Sequence, residues 1–219
     1  MKLVRLIAVL GLGLGVSACA NVETATRNAP LDMPVVGAQD TAPSISVASY
    51  TIRVPESLRV SEAELFYPPG DIVWRGDPMG DRYEQVEAIF ETSVLNGIEG
   101  MEGVVPVVLD IEVLRFHAIT NKARYTIGGM HSMRFNLTLR DPESGAVLVP
   151  TQVIEADLNA FGGQKAILAD RRGQTQKVRI TGHLANVIRE ALSGKTVAAV
   201  PMLATVAEVP VQSLAATQG

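Results

Sequence analysis

The chain has 219 residues, 47% of them hydrophobic, and its 23 acidic residues outnumber its 19 lysines and arginines, so that its formal net charge is −4. This length suits one domain with a hydrophobic core better than two. The acidic balance argues against general nucleic-acid binding, which needs a basic surface. A single cysteine excludes an internal disulfide, so the core must stabilise the fold.

The first eighteen residues have the parts of a bacterial secretion signal. Lys2 and Arg5 form a basic start, and an apolar run from Leu6 to Val16 follows. The run is too short for a membrane-spanning helix, which needs about 20 apolar residues. Small residues then lead to Cys19 in the order VSAC, the pattern of a lipoprotein signal. We therefore predict a signal peptide over residues 1–18 and a lipid on Cys19 after cleavage.

The residues around Cys19 leave ordinary secretion open as an alternative. They also indicate which of the two bacterial membranes would hold the protein. The order ACA at 18–20 also fits ordinary secretion, in which case Cys19 would be a small, inert side chain. Two or three acyl chains would hold the protein stably, since one chain binds only marginally. Ala20 stands where an aspartate would retain a lipoprotein at the inner membrane. The prediction is therefore the periplasmic face of the outer membrane.

Composition divides the remaining chain into three parts. Residues 19–44 are rich in small and polar types without an apolar period, which predicts a flexible tether. Residues 195–219 have almost no charge and contain two prolines, which predicts a poorly ordered tail. Residues 45–194 are then the single domain. Loss of Lys2 and Arg5 with the signal lowers the formal charge of the mature chain from −4 to −6.

The domain opens with an extended stretch and a helix. Ile45–Val54 predicts the first strand, which Pro55 ends. Apolar residues after Asp81 then recur at helical spacing, and Gly97 is predicted to close that helix. The spacing is carried by Val86, Ile89, Phe90 and Val94.

Two alternating stretches and a second helix complete the fold. Residues 107–113 and 133–139 alternate apolar and other side chains, which predicts two half-buried strands, and a turn at 141–145 leads to further strand material. A final helix, starting as early as Gln164 and stopped by Gly194, has one apolar face. The predicted fold class is α+β, a mostly antiparallel sheet packed against two helices in the order strand, helix, strands, helix.

Residues that could carry chemistry form no familiar set. His117 and His131 flank a loop and could meet as metal ligands, but strand-end histidines hydrogen-bonded to the backbone are the better explanation, and we predict no metal. Asp110 and Glu112 share a strand face, where solvent exposure explains them without catalysis. The chain has no nucleophile elbow and no cofactor-binding loop, so we predict no catalytic residue and no cofactor.

A basic series in the last third is the stronger candidate. Lys165, Arg172 and Arg179 recur every seven residues, which would place them on one face of a single helix. Such a stripe could bind anionic lipid or an acidic partner, although a solvated helix face has the same pattern. Trp74 beside Arg75 is either an exposed partner contact or a residue at the core edge.

Several segments resemble an uncharacterised family of alphaproteobacterial lipoproteins that is known by a domain of unknown function. The resemblance covers residues 50–194 and implies no catalytic residue. The segments are GDIVWRGDP at 70–78, RFHAIT at 115–120, KARYT at 122–126 and AFGGQ at 160–164. In its order of elements the chain is also similar to the auxiliary lipoproteins of lipid-trafficking ABC transporters, a likeness of architecture alone.

These observations predict a function in the cell envelope. The protein is expected to be a lipid-anchored, non-catalytic binding module that assists assembly or transport at the periplasmic face. Its expected partners are the membrane, through the lipid on Cys19, and an envelope protein or anionic lipid, with no nucleic acid. An enzyme with an unrecognised active site and a self-associating structural lipoprotein remain the alternatives.

Overall fold

The computed structural model describes residues 44–193, and the structural account below concerns these residues. The predicted signal peptide, Cys19, the tether up to residue 43, and residues 194–219 lie outside them. No helix within residues 44–193 is long and apolar enough to cross a membrane.

Six strands form one mixed sheet against which the helices pack. The main path through the sheet is β1–β3–β4–β5, while β2 pairs with β3 and β6 pairs with β4. The strands are β1 Ile45–Arg53, β2 Ile72–Val73, β3 Val105–His117, β4 Gly129–Arg140, β5 Val147–Glu155 and β6 Leu158–Ala160. The helices are α1 Arg82–Ile98, α2 Asn121–Arg124, α3 Gly163–Arg171 and α4 Gln176–Ser193.

The α+β class is confirmed, but the sheet is mixed rather than purely antiparallel, and the order of elements differs from the prediction. β1 and β2 both run parallel to β3, whereas β3–β4, β4–β5 and β4–β6 are antiparallel. The chain leaves β1, forms α1, and returns to the end at which β1 began, and such a crossover makes the two strands parallel. Two short helices, α2 and α3, accompany the two long ones that were predicted.

The predicted core residues are buried. In β3 the alternating residues of the inner face have no exposed side chain, and the same holds for the inner face of β4. The register pairs Leu109 with Leu139 and Val113 with Phe135 across the two strands. These inner residues contact the apolar faces of α1 and α4, where Phe90 meets Phe135 edge to face at 5.4 Å between ring centroids.

α1 begins where the sequence predicts but ends one residue later. The side chain of Asp81 accepts hydrogen bonds from the backbone N–H groups of Tyr83 and Glu84, and so caps the first turn. Gly97 does not close the helix, which continues to Ile98. A Cβ at Gly97 would lie 2.9 Å from the backbone oxygen of Ala185, so this glycine allows α1 and α4 to approach closely.

The prediction of one long helix from Gln164 is wrong. α3 ends at Arg171, Gly173 has a φ of +75°, and α4 begins at Gln176. A positive φ takes the backbone out of the right-handed helix, and glycine adopts it without a steric penalty. The break turns α4 onto α1, with which it packs in parallel: Lys177 binds Asp77 before α1, and Arg189 donates to the carbonyl of Glu99 after it.

The two ends of the sheet have different roles. Ile45 pairs with Val105 at the first residue of β3, so the chain enters the domain at that end, and α4 also finishes beside the close of α1. At the opposite end lie the last residue of β3, His117, and helices α2 and α3. We call this opposite end the distal end, and it carries the candidate site.

Candidate cationic site

A cleft at the distal end lies between α3, the start of α4 and the edge of the sheet. Its cavity volume is about 10 Å³, room for about one water molecule, and it opens to solvent. Two buried alanines of α3, Ala166 and Ala169, leave the space, because larger side chains there would fill it. The polar side chains of the lining include Arg124, His131 and Arg179. The lining thus carries two guanidiniums and one imidazole against the single carboxylate of Asp170, although the chain as a whole is acidic.

Two cations share one aromatic ring at this cleft. The guanidinium of Arg179 lies 3.5 Å from the centroid of the Phe161 ring, and the ammonium of Lys165 lies 4.1 Å from it. The negative face of an aromatic ring attracts cations, so Phe161 holds both side chains. Arg179 also donates to the backbone oxygen of Asn159 at 2.7 Å. Within residues 44–193 neither cation forms an ion pair with a carboxylate, and burial lowers the pKa of Arg179.

The third cation of the cleft is neutralised. Arg124 forms a short ion pair with Asp170, which ties α2 to α3. Arg124 therefore has a structural function that Arg179 and Lys165 lack. The charge available for an anionic ligand comes from the two cations on Phe161.

The pKa of His131 is lowered by burial and by the positive charges of the cleft. Burial, followed by the charges of Arg179, Arg124 and His183, lowers the pKa of His131 to about 3. The backbone N–H of Ile119 donates to Nδ1 of His131 at 3.4 Å, which leaves the proton of the neutral ring on Nε2. His131 is thus an uncharged hydrogen-bonding group in the same cleft as the unpaired Arg179.

The predicted stripe of basic residues is only partly assembled. Lys165 on α3 and Arg179 on α4 meet at Phe161, but not through heptad spacing on one helix. Arg172 is exposed at the end of α3 and makes no contact with that ring. The chain reverses at Gly173, and this reversal brings together two residues that a straight helix would hold about 21 Å apart.

Trp74 lies in the core. Its side chain is fully buried, stacks edge to face on Phe116, and donates its indole N–H to Asp77 at 2.8 Å. An exposed partner contact at this position is therefore wrong. The tryptophan instead holds the segment before α1 against the sheet.

The histidines and carboxylates that sequence reasoning considered take separate positions. His117 pairs in register with Ser132, so strand alternation places His117 and His131 on opposite faces of the sheet. Nε2 of His117 lies 3.0 Å from the backbone oxygen of Pro68. Residues 44–193 contain no group of three potential metal ligands. On the open face of the sheet, Asp110 pairs with Arg140 and Glu112 with Arg53.

A second charged cluster beside α1 supports the fold. The buried guanidiniums of Arg75 and Arg82 both bind Glu62 and also donate to backbone oxygens. Hydrogen bonding to Arg82 is the main reason that the pKa of Glu62 is lowered. Burial pushes the pKa of Asp77 upward, but hydrogen bonds from Lys177 and Trp74 outweigh it and hold the pKa low. These balanced, satisfied charges fasten the segment before α1 to the domain.

Sequence reasoning missed Phe161, Arg124 and His131 as partners of the basic residues. Phe161 lies directly before the two glycines that lead into α3, and an aromatic residue at a glycine-rich turn was the available signal. Arg124 and His131 carry no signal of this kind, because they reach the cleft only through the β3–β4 connection.

Together, the fold and the cleft define an α+β domain with a cationic and aromatic cleft. The chain belongs to a family of unknown function, DUF6778, whose model matches residues 45–207. The predicted resemblance to a family known by a domain of unknown function is thus confirmed at this level. The match extends beyond the predicted domain into the segment interpreted as a tail.

Solved structures match the chain only at low identity and low TM-score. Five chains match. Protein XCC0632 from Xanthomonas campestris (DUF330) is 12% identical with a TM-score of 0.43, over 70% of this chain and 86% of its own. A Caulobacter crescentus protein described as a "putative lipoprotein" is 14% identical with a TM-score of 0.29, over 65% of this chain and 87% of its own. No curated protein matches the chain.

Proposed function

We propose that the protein is a lipid-anchored, periplasm-facing binding module of the bacterial envelope that assists assembly or transport without turning over a substrate. Residues 1–18 would direct secretion, and acyl chains on Cys19 would hold the module at the outer membrane. The observation that carries the binding function is the pair Lys165 and Arg179 on Phe161. Arg179 is partly buried and has no carboxylate partner within residues 44–193, which is costly unless an anion compensates its charge, and the exposed Lys165 beside it adds a second positive charge for an anionic ligand.

The geometry favours binding over catalysis. Arg179 is held by an aromatic ring and a backbone oxygen, an arrangement that orients a guanidinium towards a carboxylate or phosphate. His131, neutral above about pH 3, can add a hydrogen bond but no charge. The proposed ligand is an acidic segment of an envelope protein or an anionic lipid headgroup.

Changing Cys19→Ser should abolish incorporation of labelled fatty acid, because the thiol is the acyl acceptor. The variant is expected to remain uncut at this site or to be processed elsewhere, and to be released from membranes. The measurement is acyl labelling in cells, followed by membrane fractionation. Label in the Cys19→Ser protein would overturn the proposed anchor.

Reversing Lys165→Glu should weaken capture of the partner, whereas Arg172→Glu should not. Both side chains are exposed and belong to α3 or its end, but only Lys165 contacts Phe161. Neither change should alter the free energy of unfolding by more than about 0.5 kcal/mol. Proteins and lipids that co-purify with each tagged variant are compared by mass spectrometry at two salt concentrations. Equal recovery with both variants would remove the cleft from consideration.

The choice of the residue that replaces Arg179 matters, because Arg179 is partly buried. Arg179→Gln removes the charge and keeps a donor for Asn159, so it tests the guanidinium with less risk to the fold. Capture by this variant should fall at least as far as with Lys165→Glu, and should lose much of its salt dependence.

A further inference from the structure

A group of exposed apolar side chains lies at the distal end, and we call it the distal tip. It consists of Leu65, Phe66, Tyr67, Tyr125 and Ile127. The first three lie between β1 and β2, and the last two follow α2. Thr120 donates to the backbone oxygen of Leu65 at 2.8 Å. The ammonium of Lys122 lies 4.8 Å from the centroid of the Phe66 ring. These two contacts join the two parts of the chain into one surface.

The area of the tip fits one side of a protein dimer. Each of the five side chains exposes about half of its surface or more, and Tyr67 and Ile127 expose 72% and 76%. Since a whole aromatic side chain presents ~150–250 Å², the tip exposes on the order of 600 Å² of apolar surface. The largest apolar patch of a typical monomer is about 300–600 Å², and a stable interface buries about 800 Å² on each partner. The tip therefore supplies most of the surface that such an interface requires.

The composition of the tip favours a second copy of the chain over a transient partner. Homodimer interfaces are about 65% apolar, against about 57% for interfaces between transient partners. Apolar surface of ~600 Å² in a footprint of ~800 Å² is closer to the homodimer value. Phenylalanine and tyrosine, which are enriched in interface cores, account for three of the five residues of the tip.

The charges around the tip are mostly compensated within the domain. Arg115 pairs with Asp71, and Arg124 forms an ion pair with Asp170. Lys122 lies beside the tip without a carboxylate partner within residues 44–193. Two identical surfaces repel each other when each has a large charge of one sign, and this surface does not. A weakly charged apolar surface therefore suits a second copy better than an anionic membrane, which attracts clusters of basic residues.

We propose that two copies of the chain associate through their distal tips in a symmetric dimer. Each tip packs against the same surface of the other copy, because a two-fold axis relates the two. Tyr67 and Ile127, the most exposed members of the tip, become buried near the centre of the interface, and Lys122 stays at its rim.

Association through the tips brings two clefts into one assembly. The cleft and the tip are neighbours, because Arg124 lines the cleft and lies 5.5 Å from the centroid of the Tyr125 ring. A partner with two anionic groups can then occupy both clefts, and the second, tethered binding event strengthens capture without a new contact. Only this consequence rests on the proposed function, since the dimer itself needs no ligand.

Sedimentation velocity tests the dimer on the mature chain with Cys19→Ser, which carries no lipid. This chain should dimerise with a dissociation constant of ~1 μM or tighter, because interfaces of this size range from micromolar to picomolar. Ile127→Glu should weaken association ~30-fold or more, as the loss of a central interface residue does. Val104→Glu is the matched control, an aliphatic residue 80% exposed at the other end of the sheet, and should behave as wild type. A wild-type chain that is still monomeric at ~100 μM would overturn the dimer.

Two lysine variants separate the dimer from other uses of the distal end. Lys122→Glu should change the dissociation constant less than ~fivefold, because an exposed rim charge contributes little. Lys165→Glu, which weakens capture by the cleft, should leave the dimer intact, so that failure of either proposal does not affect the other. A monomeric chain that binds vesicles of equal parts phosphatidylcholine and phosphatidylglycerol, and loses this binding with both Ile127→Glu and Lys122→Glu, would show a membrane surface instead of a second copy.

A cross-link locates the interface. Cys19 is the only cysteine of the sequence, so Ile127→Cys in the Cys19→Ser chain provides a single thiol. A short bismaleimide should join two copies through this thiol, whereas Val104→Cys should remain unlinked at the same concentration. Each variant should keep the circular dichroism spectrum of the wild type, since both side chains are exposed. Dimers that Ile127→Glu does not weaken, or that link at 104 rather than at 127, would overturn the tip as the interface.

Discussion

Changing Leu184→Ala should lower the free energy of unfolding by about 2–5 kcal/mol, the range for removing a fully buried leucine side chain. Leu184 has no exposed surface and lies in the core between α4 and the neighbouring elements. The backbone of α4 is held on its other sides by α1 and the sheet, so the structure can collapse only in part around the cavity. Leu184→Asp should be worse, because it buries a charge without a partner.

Denaturant titration measures this effect against a control on the same helix. Val178 is 48% exposed, and Val178→Ala should change the free energy of unfolding by no more than about 0.5 kcal/mol. The slope of the titration should remain that of the wild type in both variants. Equal costs at 178 and 184 would contradict the burial of Leu184 in the core.

Stability should fall by about 2 kcal/mol between pH 7 and pH 5 on account of His131 alone. The folded protein holds the pKa of His131 at about 3, through burial and the charges of Arg179, Arg124 and His183. The unfolded chain restores a value near 6.5. Below that value the imidazole takes up a proton in the unfolded state but not in the folded state. The contribution of His131 to stability is therefore fully present above about pH 6.5 and is lost progressively as the pH falls towards 3.

The His131→Asn variant tests this origin. Asparagine keeps an acceptor for the N–H of Ile119 but does not titrate. Between pH 7 and pH 5 the free energy of unfolding of the variant should therefore fall by about 2 kcal/mol less than that of the wild type. If the substitution lowers the free energy of unfolding equally at both pH values, this comparison between pH 7 and pH 5 is unaffected. The window stays above the range in which Glu62 and Asp77 would protonate, whose lowered pKa values matter only in stronger acid. Parallel stability curves for the two proteins would show that His131 is not the source.

The helical and strand periods predicted much of the core because they depend on neighbours in sequence. Alternation at 107–113 and 133–139 places the apolar side chains on one face of each strand whatever the strands pair with. Helical spacing did the same for α1 and for the apolar face of α4. The capping residue Asp81 could also be predicted, since its side chain binds backbone groups only two and three residues away.

Strand direction and helix breaks needed more than the local pattern. β1 could have paired in either direction, and only the path of α1 made it parallel to β3. Gly173 and Gly182 look alike in sequence, but Gly173 ends a turn at a φ of +75°, whereas Gly182 lies within α4. A helix break is stable only where the packing that follows it lowers the free energy. At Gly173 the break does so, because it allows α4 to contact α1.

By itself, the amino-acid sequence determined the predicted location of the protein in the cell and the α+β class of its domain. The signal, the position of Cys19 and the periods of the strands and helices are all short-range features that a chain carries before it folds. The tertiary structure alone decided which distant residues form the candidate site. Phe161, Lys165 and Arg179 meet because a turn reverses the chain, and the loop of Leu65 joins the start of α2, 55 residues later, because Thr120 donates to the carbonyl of Leu65. Such contacts depend on where the whole sheet and its helices place each segment, and residue spacing does not encode that information.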